Sequence, residues 1–235
     1  MNTRNFLYSI PPVTRHLLCV NVVVWLISVV LALSQHFEVA DYLGLHYFEA
    51  SRFNPAQLVT SMFLHDTHSI WHIFFNMFSL YMFGRILEQI MGSKRYLIYY
   101  MVCGIGAGLV QEAVWAFDLH PIVENYTGVE IGKGIVITTK EFLNMNVVVG
   151  ASGAVFGLLL AFGMLLPDAV IRLYFIIPMK AKYFVILFGL LELWFGVSGA
   201  VSGVAHFAHL GGLIFGLLLI LYWRKKGIIN RGGYY

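Results

Sequence analysis

Polar and apolar positions in this chain alternate on the scale of whole segments, not of helix faces or strand pleats. Six apolar runs stand out: Leu17–Ser34, Ile70–Met91, Tyr96–Ala116, Val147–Leu166, Ala181–Ala200 and Ala205–Trp223. Each is close to the 20 or so residues a helix needs to cross the hydrocarbon core of a bilayer. The pattern predicts an all-α membrane protein, a six-helix bundle forming one domain over residues 1–235. The first run is long and lacks a small-residue cleavage pattern, so it reads as a retained anchor. Two connections, 35–69 and 117–146, are too long for simple turns, and the first is rich in aromatics that suit the membrane interface. The stretch Asp168–Lys180 is apolar but broken by Arg172 and Pro178, so it reads as interfacial and too short to span.

Composition supports a bilayer as the solvent. Of the 235 residues, 59% are hydrophobic and 11% charged, against roughly 25% charged in soluble domains. The two cysteines, Cys19 and Cys103, fall within apolar runs and read as buried free thiols. The net charge of +3 is small and points to no nucleic-acid partner; where the charges lie says more. With both termini in the cytoplasm, the inside holds twelve basic residues: Arg4, Arg15, Arg85, Lys94, Arg95, Arg172, Lys180, Lys182, Arg224, Lys225, Lys226 and Arg231. The outside then holds only three, Arg52, Lys133 and Lys140. The positive-inside rule selects this orientation.

Polar groups within apolar runs are costly and face a cavity or a partner. The second run and its approach carry His65, Asp66, His68, His72 and Asn76; the fourth carries Ser152, the fifth Glu192, and the sixth His206 and His209. The second, fourth and sixth runs all enter from the outside. Counted along their runs, His72, Asn76, Ser152 and His209 lie about 4–10 Å from the outer ends at 1.5 Å per residue. Four polar residues from three helices thus share one depth and one side. His72 and Asn76, four apart, also share a helix face.

Ser152 taken alone suits packing. Small residues let membrane helices approach, and Gly153–Gly157 and Gly212–Gly216 are small-xxx-small pairs. Nor is this the nucleophile elbow of soluble hydrolases, since Ala154 stands where its second glycine would be. The two roles are compatible, however. A serine and a histidine on different helices can hydrogen-bond only where the backbones come close. Gly150 and Gly153 flank Ser152, and Gly211 and Gly212 follow His209. The serine hydroxyl needs a base, and the oxyanion it would create needs donors. The Ser152 amide, Asn76 and His72 are candidates. A second reading has His65, His68, His72, His206 and His209 holding a metal or haem. Glu192 reads as a proton-relay or gating group, or equally as a structural one paired with a neighbouring hydroxyl or loop donor. His16, His36, His46 and His120 read as solvated, and Asn125-Tyr126-Thr127 fits a glycosylation acceptor on the outer side.

Together these segments resemble the rhomboid family of intramembrane serine proteases. Gly150-Ala151-Ser152-Gly153 resembles its nucleophile motif, Ala208-His209 through Gly216 its catalytic histidine segment, and His72 to Asn76 its second span. The stretch Gln57 to His65, the group Gly84, Glu88, Gly92 and Ser93, and the turn Ile177 to Lys182 add to the match, which covers about Pro55 to Gly216. The glycines at +3 and +7 fit the family pattern from His209 and not from His206, which makes His209 the base. The resemblance implies a Ser152–His209 dyad with no carboxylate orienting the imidazole, and with Phe156 stacking on it where many relatives have Tyr. It implies an oxyanion site of Asn76, His72 and the Ser152 amide, supporting glycines at 150, 153 and 212, and a gate at Trp194 and Phe195. It implies neither cofactor nor metal. The expected partners are single-pass membrane proteins, cut within or beside their spans, and the expected place is a bacterial cytoplasmic membrane. Two departures, the longer His65–His72 interval and the long 117–146 loop, lie on the face where substrate would enter.

Overall fold

A computed structural model describes residues 9–173, 177–199 and 205–229. Among these residues the fold is mostly helical, with six long helices: α1 (Pro12–Gln35), α2 (Ile70–Met91), α3 (Ser93–Asn125), α4 (Ser152–Leu165), α5 (Ala181–Ser198) and α6 (His206–Lys225). Four of them, α1, α3, α5 and α6, are long and apolar enough to cross a membrane. The chain is an integral membrane protein. The core lies where α3, α4 and α6 meet, closed by Leu80, Leu87, Tyr99, Tyr100, Leu158 and Ile220, all fully buried.

Two helices depart from the apolar runs. α3 continues through residue 125, well past the expected end at Ala116. Its 33 residues make about 50 Å of helix, longer than a bilayer core of roughly 30 Å. The surplus forms a post at the same end of the bundle as Ser152. Leu119 on that post, with Trp115 just before it, packs against Leu45, Tyr47 and Ala50 of the first long connection and Leu143 of the second. The 117–146 segment is therefore structured: a hairpin of β2 (Gly128–Glu130) and β3 (Val136–Thr138) leads into a short helix, Thr139–Met145, closed by a Thr138–Glu141 capping box.

The fourth run begins its helix five residues later than its hydropathy predicts. Val147–Val148 instead forms strand β4, paired antiparallel with β1 (Leu45–His46). β-branched residues favour this extended course, and Gly150 then turns the chain at a φ of 131°, while its N–H donates to the Ser61 carbonyl at 2.9 Å. Non-helical backbone needs its polar groups satisfied by protein or a cavity; this segment pairs with β1 and lines the cavity described below. α4 is thereby left with 14 residues, about 21 Å. It starts beneath the outer rim, and Ser152 is its first residue.

At the opposite end Glu88 joins three helices. Its carboxylate accepts the amides of Val13 and Thr14 at 2.9 and 2.7 Å, and the hydroxyls of Thr14 and Ser93 at 2.8 and 2.6 Å. α1 has no side-chain cap of its own; Glu88 supplies one from α2, meeting both the orphan amides and the positive end of the helix.

The inner connection 168–180 folds as a hairpin of β5 (Val170–Leu173) and β6 (Ile177–Lys180). Asp168 pairs with Lys180 and Lys182 at 3.1 and 3.0 Å across its base, and those lysine partners hold its carboxyl below the usual range. Cys103 is buried but Cys19 is exposed on α1. His46 is fully buried, not solvated: its Nδ1 lies 3.1 Å from the Gly44 carbonyl inside the β1 turn. His120 is exposed, between Glu49 and Glu124. The far end of the fifth run, at Ala200, lies outside the described residues.

Candidate active site

Glycines set the approach of α4 to its neighbours. A Cβ at Gly212 would run into the Gly153 carbonyl oxygen, and one at Gly153 into the Ala107 side chain. Only with both positions bare can α6 and α3 close onto α4. With the backbones this near, Ser152 Oγ lies 2.9 Å from His209 Nε2. Phe156, one turn along α4, stacks on the His209 ring at 4.3 Å between centroids and 9° between planes.

The other nitrogen of His209 corrects an expectation. The sequence put no carboxylate near this imidazole, yet Glu192 Oε2 lies 2.9 Å from His209 Nδ1. The same oxygen lies 2.7 Å from His206 Nδ1. Glu192 is thus paired with two imidazoles, not with a hydroxyl or a loop donor. Residues 17 apart on separate helices give no periodic signal. Depth would have found the pair. α5 ends at Ser198, so Glu192 lies six residues, about 9 Å, before that end, and His209 lies close to the start of α6.

His72 comes from α2 and faces the serine. Its Nδ1 accepts the Asp66 N–H at 3.2 Å, which leaves the ring proton on Nε2. A Cβ built on Gly150 would sit 2.9 Å from that Nε2 and 3.6 Å from Ser152 Oγ. His72 Nε2 and Ser152 Oγ thus flank the bare Gly150 and line the same cavity. Asn76 donates one amide hydrogen to the His72 carbonyl at 2.9 Å and lines the same space. The amides of the first turn of α4, including that of Ser152, have no intrahelical acceptor.

These groups line a cavity of about 1080 Å³, together with His65, Asp66, Gln111, Trp115 and the β4 valines. His65 is buried against His72, with ring centroids 5.2 Å apart. Burial, with His72 next to it, pushes His65 down to about 3, so it adds no charge near neutral pH. The five histidines offered as one ligand set are divided. His65 and His72 form one pair, His206 and His209 another, and His68 is exposed beside Glu38. Among the described residues, the ligand atoms of Glu192, His206 and His209 lie within 4.8 Å of one another, close enough to hold a metal ion. Trp194 stands 67% exposed on the outer half of α5, while Phe195 leans on the His206 ring at 5.6 Å.

Known proteins match the same region. A family model for the Rhomboid domain matches residues 52–226. Over 163 residues the chain is 31% identical to Rhomboid protease AarA of Providencia stuartii, covering 68% of this chain and 52% of that protein. It is 29% identical over 164 residues to RHOMBOID-like protein 6, mitochondrial, of Arabidopsis thaliana, covering 69% and 42%. It is 27% identical over 206 residues to RHOMBOID-like protein 4 of the same plant, covering 77% and 43%. The chain therefore spans about half the length, or less, of these curated relatives. With a domain match over most of its length, this chain belongs to the rhomboid family.

Proposed function

We propose that this protein is an intramembrane serine endopeptidase that cleaves single-pass membrane proteins within or next to their transmembrane segments. The observation that carries this reading is the 2.9 Å contact between Ser152 Oγ and His209 Nε2, at the wall of the cavity. Ser152 attacks the scissile carbonyl carbon and its proton passes to His209 Nε2. The tetrahedral oxyanion is held by the Ser152 N–H, His72 Nε2–H and Asn76 Nδ2. His209 returns the proton to the leaving amine, and water from the cavity then hydrolyses the acyl-enzyme by the same base.

The substrate enters from the lipid past the outer half of α5, where Trp194 and Phe195 form the gate. Segments that unwind readily suit a site that binds extended backbone. The distribution of basic residues supports both termini in the cytoplasm, and the setting is a bacterial cytoplasmic membrane.

The test is cleavage of a single-pass model substrate in proteoliposomes. Wild type is expected to cut it once, near the outer end of its span, and folded Ser152→Ala is expected not to. A wild type that binds the substrate but never cuts it would instead assign a client-binding role. Cleavage by Ser152→Ala would remove the nucleophile assignment.

A further inference from the structure

α5 is the least embedded of the helices long enough to span: only 6% of its apolar window is buried, against 44% for α3 and α6. Ala181 and Val185, near its inner end, are its buried residues. The outer half meets the bundle chiefly through polar and aromatic contacts with α6: Glu192 with His206 and His209, and Phe195 with His206. A carboxylate on a lipid-facing helix is expensive. A tether for α5 would be served by one partner, but here one carboxylate oxygen lies against the Nδ1 of both rings.

That choice of atoms has a chemical consequence. An imidazole that donates Nδ1–H to a carboxylate keeps its lone pair on Nε2, and His209 Nε2 is the atom facing Ser152 Oγ. With no acceptor at Nδ1, the ring could equally carry its proton on Nε2 and be unable to take one from serine. The stack on Phe156 fixes the plane of the ring but not its tautomer. We infer that Glu192 is a positioning residue that converts the Ser152–His209 pair into a serine–histidine–carboxylate triad. This rests on the protease reading above. The balance of protons is simple: the Ser152 proton moves to His209 Nε2, Nδ1–H stays on the ring, and the carboxylate remains ionised while it stabilises the imidazolium. The proton then leaves with the amine.

The same three groups could instead face a metal ion. A metal on His209 Nδ1 would likewise free Nε2, but activity would then fall with a chelator. The test separates these cases. Cleavage kinetics and the second-order rate of labelling by a small fluorophosphonate are measured for wild type, Ser152→Ala, Glu192→Asp, Glu192→Gln and Glu192→Leu, with a thermal melt for each.

Glu192→Gln is expected to lose about 30-fold or more in kcat with KM within twofold, and to label more slowly by a similar factor. Glu192→Leu should lose more, and Glu192→Asp should recover part of the loss. In a His206→Phe background the Gln substitution should still cost tenfold or more, because the effect runs through His209. A chelator should leave wild type unchanged. The triad is overturned if Glu192→Gln keeps wild-type kcat, or if its loss lies wholly in KM or melting temperature with labelling unchanged or faster. It is also overturned if the loss vanishes without His206, or if a chelator abolishes activity and zinc restores it. Failure of the protease reading looks different: wild type itself is inert to substrate and probe, or Ser152→Ala matches it.

Discussion

Two carboxylates, Glu88 buried and Glu192 half-buried, join helices at opposite ends of the bundle, and they do so with different donors. Glu88 is met by two backbone amides and two hydroxyls. Glu192 is met by two imidazoles. Amides and hydroxyls keep their protons at any working pH, so the donors around Glu88 only fasten α1, α2 and α3. Imidazoles gain and lose protons, and one of the two at Glu192 touches a serine hydroxyl beside a cavity. Both carboxylates escape isolation in an apolar setting, but the identity of the donors separates a fastening from a site able to move protons.

The comparison can be broken at several points. The largest effect is expected at the nucleophile. Ser152→Ala should lower kcat by at least about 10⁴-fold with the melting temperature unchanged, measured in the same detergent. Loss of both would make the outer cluster as structural as the inner one. At the inner end, Glu88→Ala should destabilise by about 3 kcal/mol, since it orphans buried donors, while kcat per folded enzyme stays within about twofold. Denaturation followed by tryptophan fluorescence, alongside turnover, would read both quantities, and a selective fall in kcat would erase the contrast. Removing a single oxyanion donor by Asn76→Ala should cost about 100-fold in kcat, less than loss of the nucleophile. The smallest effect is expected at Phe156→Leu, about 3–10-fold in kcat/KM, because a stacked ring is worth roughly 0.5–1.5 kcal/mol. An undiminished rate there would mean that the hydrogen bonds alone hold His209.

Much of this was readable from the chain. The apolar runs located all six long helices, and the depth shared by His72, Asn76, Ser152 and His209 anticipated groups that now line one cavity. Hydropathy could not show where α4 starts, because Val147 and Val148 are as apolar as any helix interior yet pair as a strand with Leu45 and His46. It could not end α3 either, since the helix outlasts its apolar stretch to support the outer connections. Glu192 escaped for another reason. Its partners lie beyond a helix end, and on a lone apolar helix a carboxylate reads as a proton relay, a gate or a tether. Only the packing of α5 on α6 brings its oxygen to two ring nitrogens.

The most direct test of the account is to map where a fluorophosphonate probe attaches. Purified protein in lipid is treated with the probe, digested and read by mass spectrometry, with residual cleavage of a transmembrane substrate followed in parallel. The account predicts one adduct, on Ser152, rising as cleavage falls and absent from His209→Ala. An adduct on another residue, or full cleavage by protein already modified at Ser152, would contradict it.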